Sequence, residues 1–334
     1  MSDIIAASGV SKIFRQPKRF SGMGGALKGL FNREYTEVRA VTDISFSIAA
    51  GEAVGYLGPN GAGKSTMIKM MTGILVPTGG TLSVLGRQPH GQRMVNAAEI
   101  GVVFGQRSQL WWDLPVRDSF ELNRHIYDIA EARFAENLGN LTSMLDMGAY
   151  LDRPVRQLSL GQRMRAEIAM ALLHGPKILF LDEPTIGLDV VAKDAVRKFL
   201  SEINRERGTT IILTTHDLID IEQICPRLIM VDDGKLLFDG ELRDLRSTLG
   251  SRRRLTLQFA TDPGPIALTT ATISADEGAA KHFLLEDESI SLIDVLNEVG
   301  RGHDLKDVKL EEPDIEEVIR TFYQNKSRIS GGPA

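Results

Sequence analysis

The run Gly58-Pro59-Asn60-Gly61-Ala62-Gly63-Lys64-Ser65-Thr66 sets glycines at fixed offsets ahead of a lysine and two hydroxyls. Small residues let successive backbone N–H groups turn inward around an anion, and a helix starting at Lys64 adds the favourable potential of its N-terminus. Gly58, Asn60, Gly61 and Gly63 then shape a phosphate-binding loop. Lys64 reaches the β- and γ-phosphates of a nucleotide, Ser65 offers its hydroxyl to Mg2+, and Thr66 completes the contacting set. A second cluster is Ile178-Leu179-Phe180-Leu181 followed by Asp182 and Glu183. Two acids after an apolar strand can be merely a solvated strand end. Behind a phosphate-binding loop they are candidates for the Mg2+ shell, through Asp182, and for the general base that polarises water, through Glu183.

These residues need a scaffold that presents strand ends to a ligand. Between 38 and 245, short β-like runs alternate with helical periodicity, the pattern of an α/β layered domain. Strands are predicted at Val41 to Ile48, Glu52 to Leu57, Thr81 to Leu85, Gly101 to Phe104, Ile178 to Asp182, Thr210 to Thr214, Leu228 to Val231 and Lys235 to Phe238. A helical run Lys64 to Leu75 follows the loop. Residues 115–173 keep helical spacing with no β run and read as an inserted helical subdomain. A helix from Val190 ends at Gly208, with Arg205 and Arg207 in its last turn where cations suit the dipole. Beyond 245 the pattern resets, with a strand at Leu255 to Phe259 and helices at Leu292 to Val299 and Ile315 to Tyr323. The expected domains are therefore 1–245, a small α+β domain at 246–326, and a flexible tail at 327–334.

Composition narrows the class. Hydrophobic residues make up 43% and charged residues 25% of the 334 positions, average values for a globular chain. No apolar stretch approaches the ~20 residues of a spanning helix, and Met1 to Val10 lacks a secretory pattern, so a cytoplasmic location is expected. One cysteine, Cys225, excludes an internal disulfide and a Cys-rich zinc site. A net charge of −5 gives no general attraction for nucleic acid, and none is expected as a partner.

Leu158-Ser159-Leu160-Gly161-Gln162, lying before Asp182, resembles the signature motif of ABC transporter ATPases, and the likeness covers roughly residues 4–245. It implies a P-loop NTPase core with an inserted helical subdomain and an antiparallel β part. It also implies ATP and Mg2+ as ligands and two ATPase subunits, identical or paralogous, meeting head to tail. The phosphate loop of one and the signature helix of the other would then clamp each ATP. By the same resemblance Gln106 is the Q-loop glutamine near the metal and the lytic water, and Gly187-Leu188-Asp189 lies in the D-loop with Asp189 near nucleotide. His216 holds the γ-phosphate; Ser159, Gly161 and Gln162 supply signature contacts. Phe14 either stacks on adenine or packs in the core, with Tyr35 in reserve. The departure is Leu160, where the family has glycine: its bulk is tolerable if the side chain points away from nucleotide, and a degenerate site is the competing reading.

The basic insert at 15–38 reads as a solvated loop or as an amphipathic helix at the membrane or its partner. With the ending Leu310-Glu311-Glu312-Pro313-Asp314-Ile315-Glu316-Glu317-Val318-Ile319, it resembles ABC-2 type exporter ATPases that work with separate transmembrane permeases. The subunit would sit peripherally on the cytoplasmic face of the inner membrane. Coupling to the permease would run through Gln106 to Asp118, where Trp111 and Trp112 are either core residues or docking residues. An importer ATPase and a soluble ABC ATPase are the alternatives, and residues 246–334 carry no nucleotide, metal or cysteine motif, which leaves regulation, dimer support and structural bracing open for that domain.

Overall fold

A computed structural model of the chain describes residues 3–17, 35–105, 107–248, 253–285, 290–299, 304–311, 316, 318–320 and 322–323. The chain divides into two compact units, Met1–Gly240 and Glu241–Ala334. The first holds two sheets. In one, β1 (Asp3–Pro17), β2 (Tyr35–Ala49) and β4 (Gly79–Val84) lie antiparallel in the order β2-β1-β4. β2 alternates buried and exposed residues along its second half, as a strand with one face on the core does.

The other sheet has the order β5-β6-β7-β3-β8-β9, formed by β3 (Ala53–Leu57), β5 (Ile100–Phe104), β6 (Ile178–Asp182), β7 (Thr210–Thr214), β8 (Arg227–Asp232) and β9 (Lys235–Glu241). β5, β6, β7, β3 and β8 pair in parallel. Every residue of β3 and β7 is buried, because a parallel sheet is covered on both faces. Helix α1 (Lys64–Met71) packs on both sheets, and its Met67, Ile68, Met70 and Met71 join one core with Ile5, Val41, Tyr56 and Phe180. It stops short of the predicted Leu75. Gly73, at φ 80°, turns the chain so tightly that a Cβ there would lie 2.5 Å from the Pro89 carbonyl oxygen.

A short α2 (Arg93–Ala97) precedes β5. The stretch 115–173 contains α3 (Val116–Ile126), α4 (Glu131–Met144) and α5 (Leu160–Leu172) with a 3-10 turn at Val155–Gln157, and no named strand. Next come α6 (Val190–Arg207), ended by Gly208 at φ 64° as its sequence predicted, and α7 (Leu218–Ile224). β1 was absent from the sequence reading, since register shifts between Asp3 and Ile13 break its alternation.

The second unit opens with α8 (Leu242–Thr248). Its antiparallel sheet, β11-β12-β10-β13, comprises β10 (Arg254–Phe259), β11 (Ala271–Glu277), β12 (Ala280–Leu285) and β13 (Leu305–Glu311). It buries Leu255, Leu257, Phe259, Phe283 and Leu285 with Val295 and Val299 of α9 (Leu292–Val299).

Candidate functional site

The parallel sheet brings four chain segments to one edge. β3 runs into the glycine loop, β6 ends at Asp182, β7 leads to His216, and β5 ends beside β6 with Phe104 opposite Asp182. Ligand crevices of open α/β sheets form at such carboxyl ends. In the loop, Gly63 has φ 98°, and a Cβ there would sit 2.3 Å from the Ala40 carbonyl oxygen, so no other residue fits. No side chain caps α1, leaving its first-turn N–H groups for an anion. Lys64 is buried and its Nζ donates to the carbonyls of Gly58 (2.6 Å) and Pro59 (3.1 Å), folding the cation over its own loop. Burial holds its pKa below the usual lysine range, against the opposing pull of Glu183 and Asp182. Asn60 and Gly61 are exposed on the loop and Thr66 is half-buried behind Ser65.

Ser65 Oγ lies 3.4 Å from Asp182 Oδ1, an oxygen that also accepts from Thr214 Oγ1. Glu183 follows with φ 58°, a left-handed conformation costly for a side-chain-bearing residue. The turn is fixed by its N–H donating to the Thr214 carbonyl at 2.9 Å, and it brings Glu183 Oε1 2.9 Å from His216 Nε2. The Gly105 N–H donates to the Asp182 carbonyl, carrying β5 to the same edge. Gln106 itself lies outside the described residues.

Ser159 caps α5 with a full capping box: the Gln162 N–H donates to Ser159 Oγ at 3.2 Å, and the Ser159 N–H to Gln162 Oε1 at 3.0 Å. Gly161 lets this helix approach α6, since a Cβ there would be 2.9 Å from Ala192 Cβ. Leu160 Cδ2 lies 3.0 Å from where Gly187 would carry a Cβ, so the side chain lies against the 187–189 segment. Asp189 caps α6, accepting from the Ala192 N–H at 2.8 Å.

A family model described as ABC transporter matches residues 41–186. Methionine import ATP-binding protein MetN 2 of Bacillus licheniformis is 32% identical over 297 residues, covering 88% of this chain and 82% of that protein. The chain belongs to the ABC transporter ATP-binding proteins. Nod factor export ATP-binding protein I of Neorhizobium galegae is 35% identical over 206 residues, 62% of this chain and 59% of that one. A solved ATP-binding cassette, dimeric and in a post-hydrolysis state with ADP and Pi, shares the fold at a TM-score of 0.59 and 24% identity, over 72% of this chain and 99% of that one.

As an ABC ATPase the chain binds and hydrolyses ATP, and such subunits dimerise and work with transmembrane subunits. Among the described residues no helix is long and apolar enough to cross a membrane. The donor set fits Mg2+, which prefers hard oxygens, one or two carboxylates and substrate phosphates over an all-protein cage. Ser65 and Asp182 offer those oxygens, and no group of three or more His, Cys, Asp or Glu able to hold a metal occurs among the described residues. Phe14 is half-buried on β1 opposite Val38, with Lys12 Nζ 5.3 Å from its ring, on the strand pair whose Ala40 abuts Gly63. Tyr35 opens β2 and is exposed.

Sequence reasoning missed a buried hub behind Glu183 and His216. Asp220, fully buried, accepts from Thr185 Oγ1, Thr215 Oγ1 (2.8 Å) and Arg197 Nε (2.6 Å). Arg197 and Lys193 also reach Asp217 at 3.0 and 2.6 Å, so that carboxyl, despite partial desolvation, is held below the usual range by its Lys193 hydrogen bond and both cations. A signal was present: Arg197 falls inside the apolar stripe of Val196, Leu200 and Ile203, where an arginine needs a buried partner.

Proposed function

We propose that this subunit hydrolyses ATP at two composite sites of a head-to-tail dimer and so powers export through separate transmembrane subunits of the ABC-2 type. One observation carries the dimeric-site part of this reading. The glycine loop, Asp182, Glu183 and His216 meet at one sheet edge, while the start of α5, capped by Ser159, belongs to a separate helical stretch that a second protomer would complete.

In this reading Gly58, Asn60, Gly61, Gly63, Lys64 and Thr66 hold the phosphates, Phe14 stacks on adenine, and Asp189 of the facing protomer borders the nucleotide. Ser65, Asp182 and Gln106 hold Mg2+, which when bound would neutralise charge on the phosphate oxygens. Glu183 accepts the proton of the attacking water, and His216, 2.9 Å from it, steadies that carboxylate and the γ-phosphate. Ser159 and the N–H groups of Gly161 and Gln162 clamp the same phosphate from the partner protomer. Leu160 lies against Gly187 and does not cover these groups, and the Gln162 N–H would turn from its capping bond to Ser159 Oγ toward the phosphate. ATP then favours the closed dimer through contacts that exist only there, and hydrolysis removes them.

Export is supported by the resemblance of 15–38 and 310–319 to exporter ATPases, and by likeness to a Nod factor export protein. Residues 15–17 and 35–38 extend the β1–β2 pair. The remainder of the insert, read from the sequence as a solvated loop or an amphipathic helix, lies outside the described residues, as does the tail 327–334. Import is the second reading, favoured by the alignment of 297 residues with a methionine import protein. Trp111 and Trp112, 52% and 53% exposed, supply the apolar docking surface for the permease. The second unit serves as an accessory domain that braces or regulates the dimer.

The test is to tag Glu183→Gln in the native cell, solubilise membranes with ATP present and identify what co-purifies. A stoichiometric ABC-2 type permease supports the reading, an importer permease moves it to the second, and ribosomes or DNA sink both. The same variant should lose ATP turnover by about 100-fold or more while retaining bound ATP, and undiminished turnover would remove Glu183 as the base.

A further inference from the structure

Glu167 lies on the buried side of α5, about two helical turns beyond Ser159. It is 4% exposed, and its carboxylate is spent on one short segment. The Gln109 N–H donates to both oxygens at 3.1 and 3.0 Å, the Leu110 N–H approaches one at 3.5 Å, and Ser108 Oγ donates to the same one. Three successive residues thus converge on one buried acid. Burial pushes its pKa up while these bonds pull it down, as for a carboxylate placed at a cost and kept by its donors.

The segment it holds leads in two directions. Upstream, Gln109 Nε2 donates to the Val102 carbonyl, and Arg107 bridges back to Phe104, opposite Asp182. Downstream come buried Leu110 and then Trp111 and Trp112, the only tryptophans in the chain and both about half-exposed. The Trp111 N–H is held by Ser119 Oγ at 3.2 Å, and the Arg163 guanidinium of α5 lies 6.0 Å from the Trp112 ring.

We propose that Glu167 is a positioning residue that locks residues 108–112 to α5 as one body, so that engagement of nucleotide at Ser159 and Gln162 displaces the tryptophan pair with it. The inference rests on the dimeric site proposed above. A helix gripped at its start by a partner's ATP would otherwise move past a loop that owes its place to β5. The carboxylate makes the loop follow the helix.

The two tryptophans report on this loop directly. In the full-length Glu183→Gln protein, ATP should shift tryptophan emission and acrylamide quenching together with dimer formation on a sizing column. Adding Glu167→Gln, which keeps the side-chain volume, should leave ATP binding and the ATP-dependent dimer in place but abolish the emission change, and Glu167→Asp should restore part of it. Ser108→Ala removes one donor without touching α5, should weaken the response in the same direction, and carries the test if Glu167→Gln does not fold. A full emission response in the folded variants overturns the proposal. So does a dimer that forms with no emission change in the Glu183→Gln background. Failure of that background to dimerise, seen on the column, instead strikes the composite-site reading on which the proposal rests.

Discussion

Replacing Asp220 by Asn leaves the shape of the hub but removes its charge. The carboxylate is fully buried and serves Thr185, two residues after Glu183, Thr215, the residue before His216, and Arg197, itself 6% exposed. An asparagine presents an NH2 where one of those donors now points. Removing one partner of a buried ion pair costs about 3–5 kcal/mol, and the low end applies because Arg197 keeps Asp217 at 3.0 Å. For a unit of this size about 3 kcal/mol lowers Tm by roughly 6–12 °C. The kinetic effect follows from geometry. Thr185 and Thr215 flank the 2.9 Å contact between Glu183 and His216, and a displacement of about 1 Å there costs on the order of 100-fold in kcat. The glycine loop hangs on β3 and touches none of these groups, so the KM for ATP should stay within about twofold. Steady-state ATPase assays at saturating and limiting ATP, with scanning fluorimetry, measure both effects. A lowered Tm with unchanged kcat would show that the hub only stabilises the fold, and a rise in KM equal to the fall in kcat would refute the separation of the two halves of the site.

Gly161→Ala should destabilise the α5–α6 contact by about 1–3 kcal/mol, because its Cβ would lie 2.9 Å from Ala192 Cβ. Ala192→Gly should rescue it, as double-mutant denaturation can check. Leu160→Gly removes the contact over Gly187 and should cost about 1 kcal/mol in urea unfolding while leaving ATP-dependent dimerisation intact; loss of the dimer would show that Leu160 itself serves the signature. His174 is buried, hydrogen-bonded to the Ile100 carbonyl and stacked on Tyr127, and burial pushes its pKa down to about 4 from 6.5. Between those values the unfolded chain takes up a proton that the folded chain refuses. Its contribution is therefore complete above pH 6.5 and declines as pH falls to 4, by about 3 kcal/mol. The stability difference between wild type and His174→Asn, measured by urea at several pH values, should narrow across that window, and a constant difference would refute the assignment.

The parallel sheet was readable because β3, β6 and β7 are short, apolar and bounded by glycine or acid, and the predicted spans of β6 and β7 match the observed ones. β1 was not, since its shifted register breaks the alternation that marks a strand. β11, β12 and β13 were all missed: the mostly exposed or half-buried residues of β11 and β13 leave almost no apolar period to detect, β12 does alternate but over only six residues, and their pairing with one another and with β10 is what makes them strands.

For the site, the sequence by itself determined the local patterns on which the proposed chemistry rests. A glycine loop before Lys64, an apolar strand ending in Asp182 and Glu183, and a serine ahead of Gly161 are local patterns, and local backbone sterics and hydrogen bonding suffice to read them. Tertiary structure alone decided what stands behind them. Arg197 finds Asp220, Glu167 finds residues 108–110, Leu160 lies against Gly187, and Glu183 is turned onto His216, each through chain segments that sequence distance does not connect. A buried charge must have a partner, but its identity is set by which strands lie side by side, and that order belongs to the folded sheet.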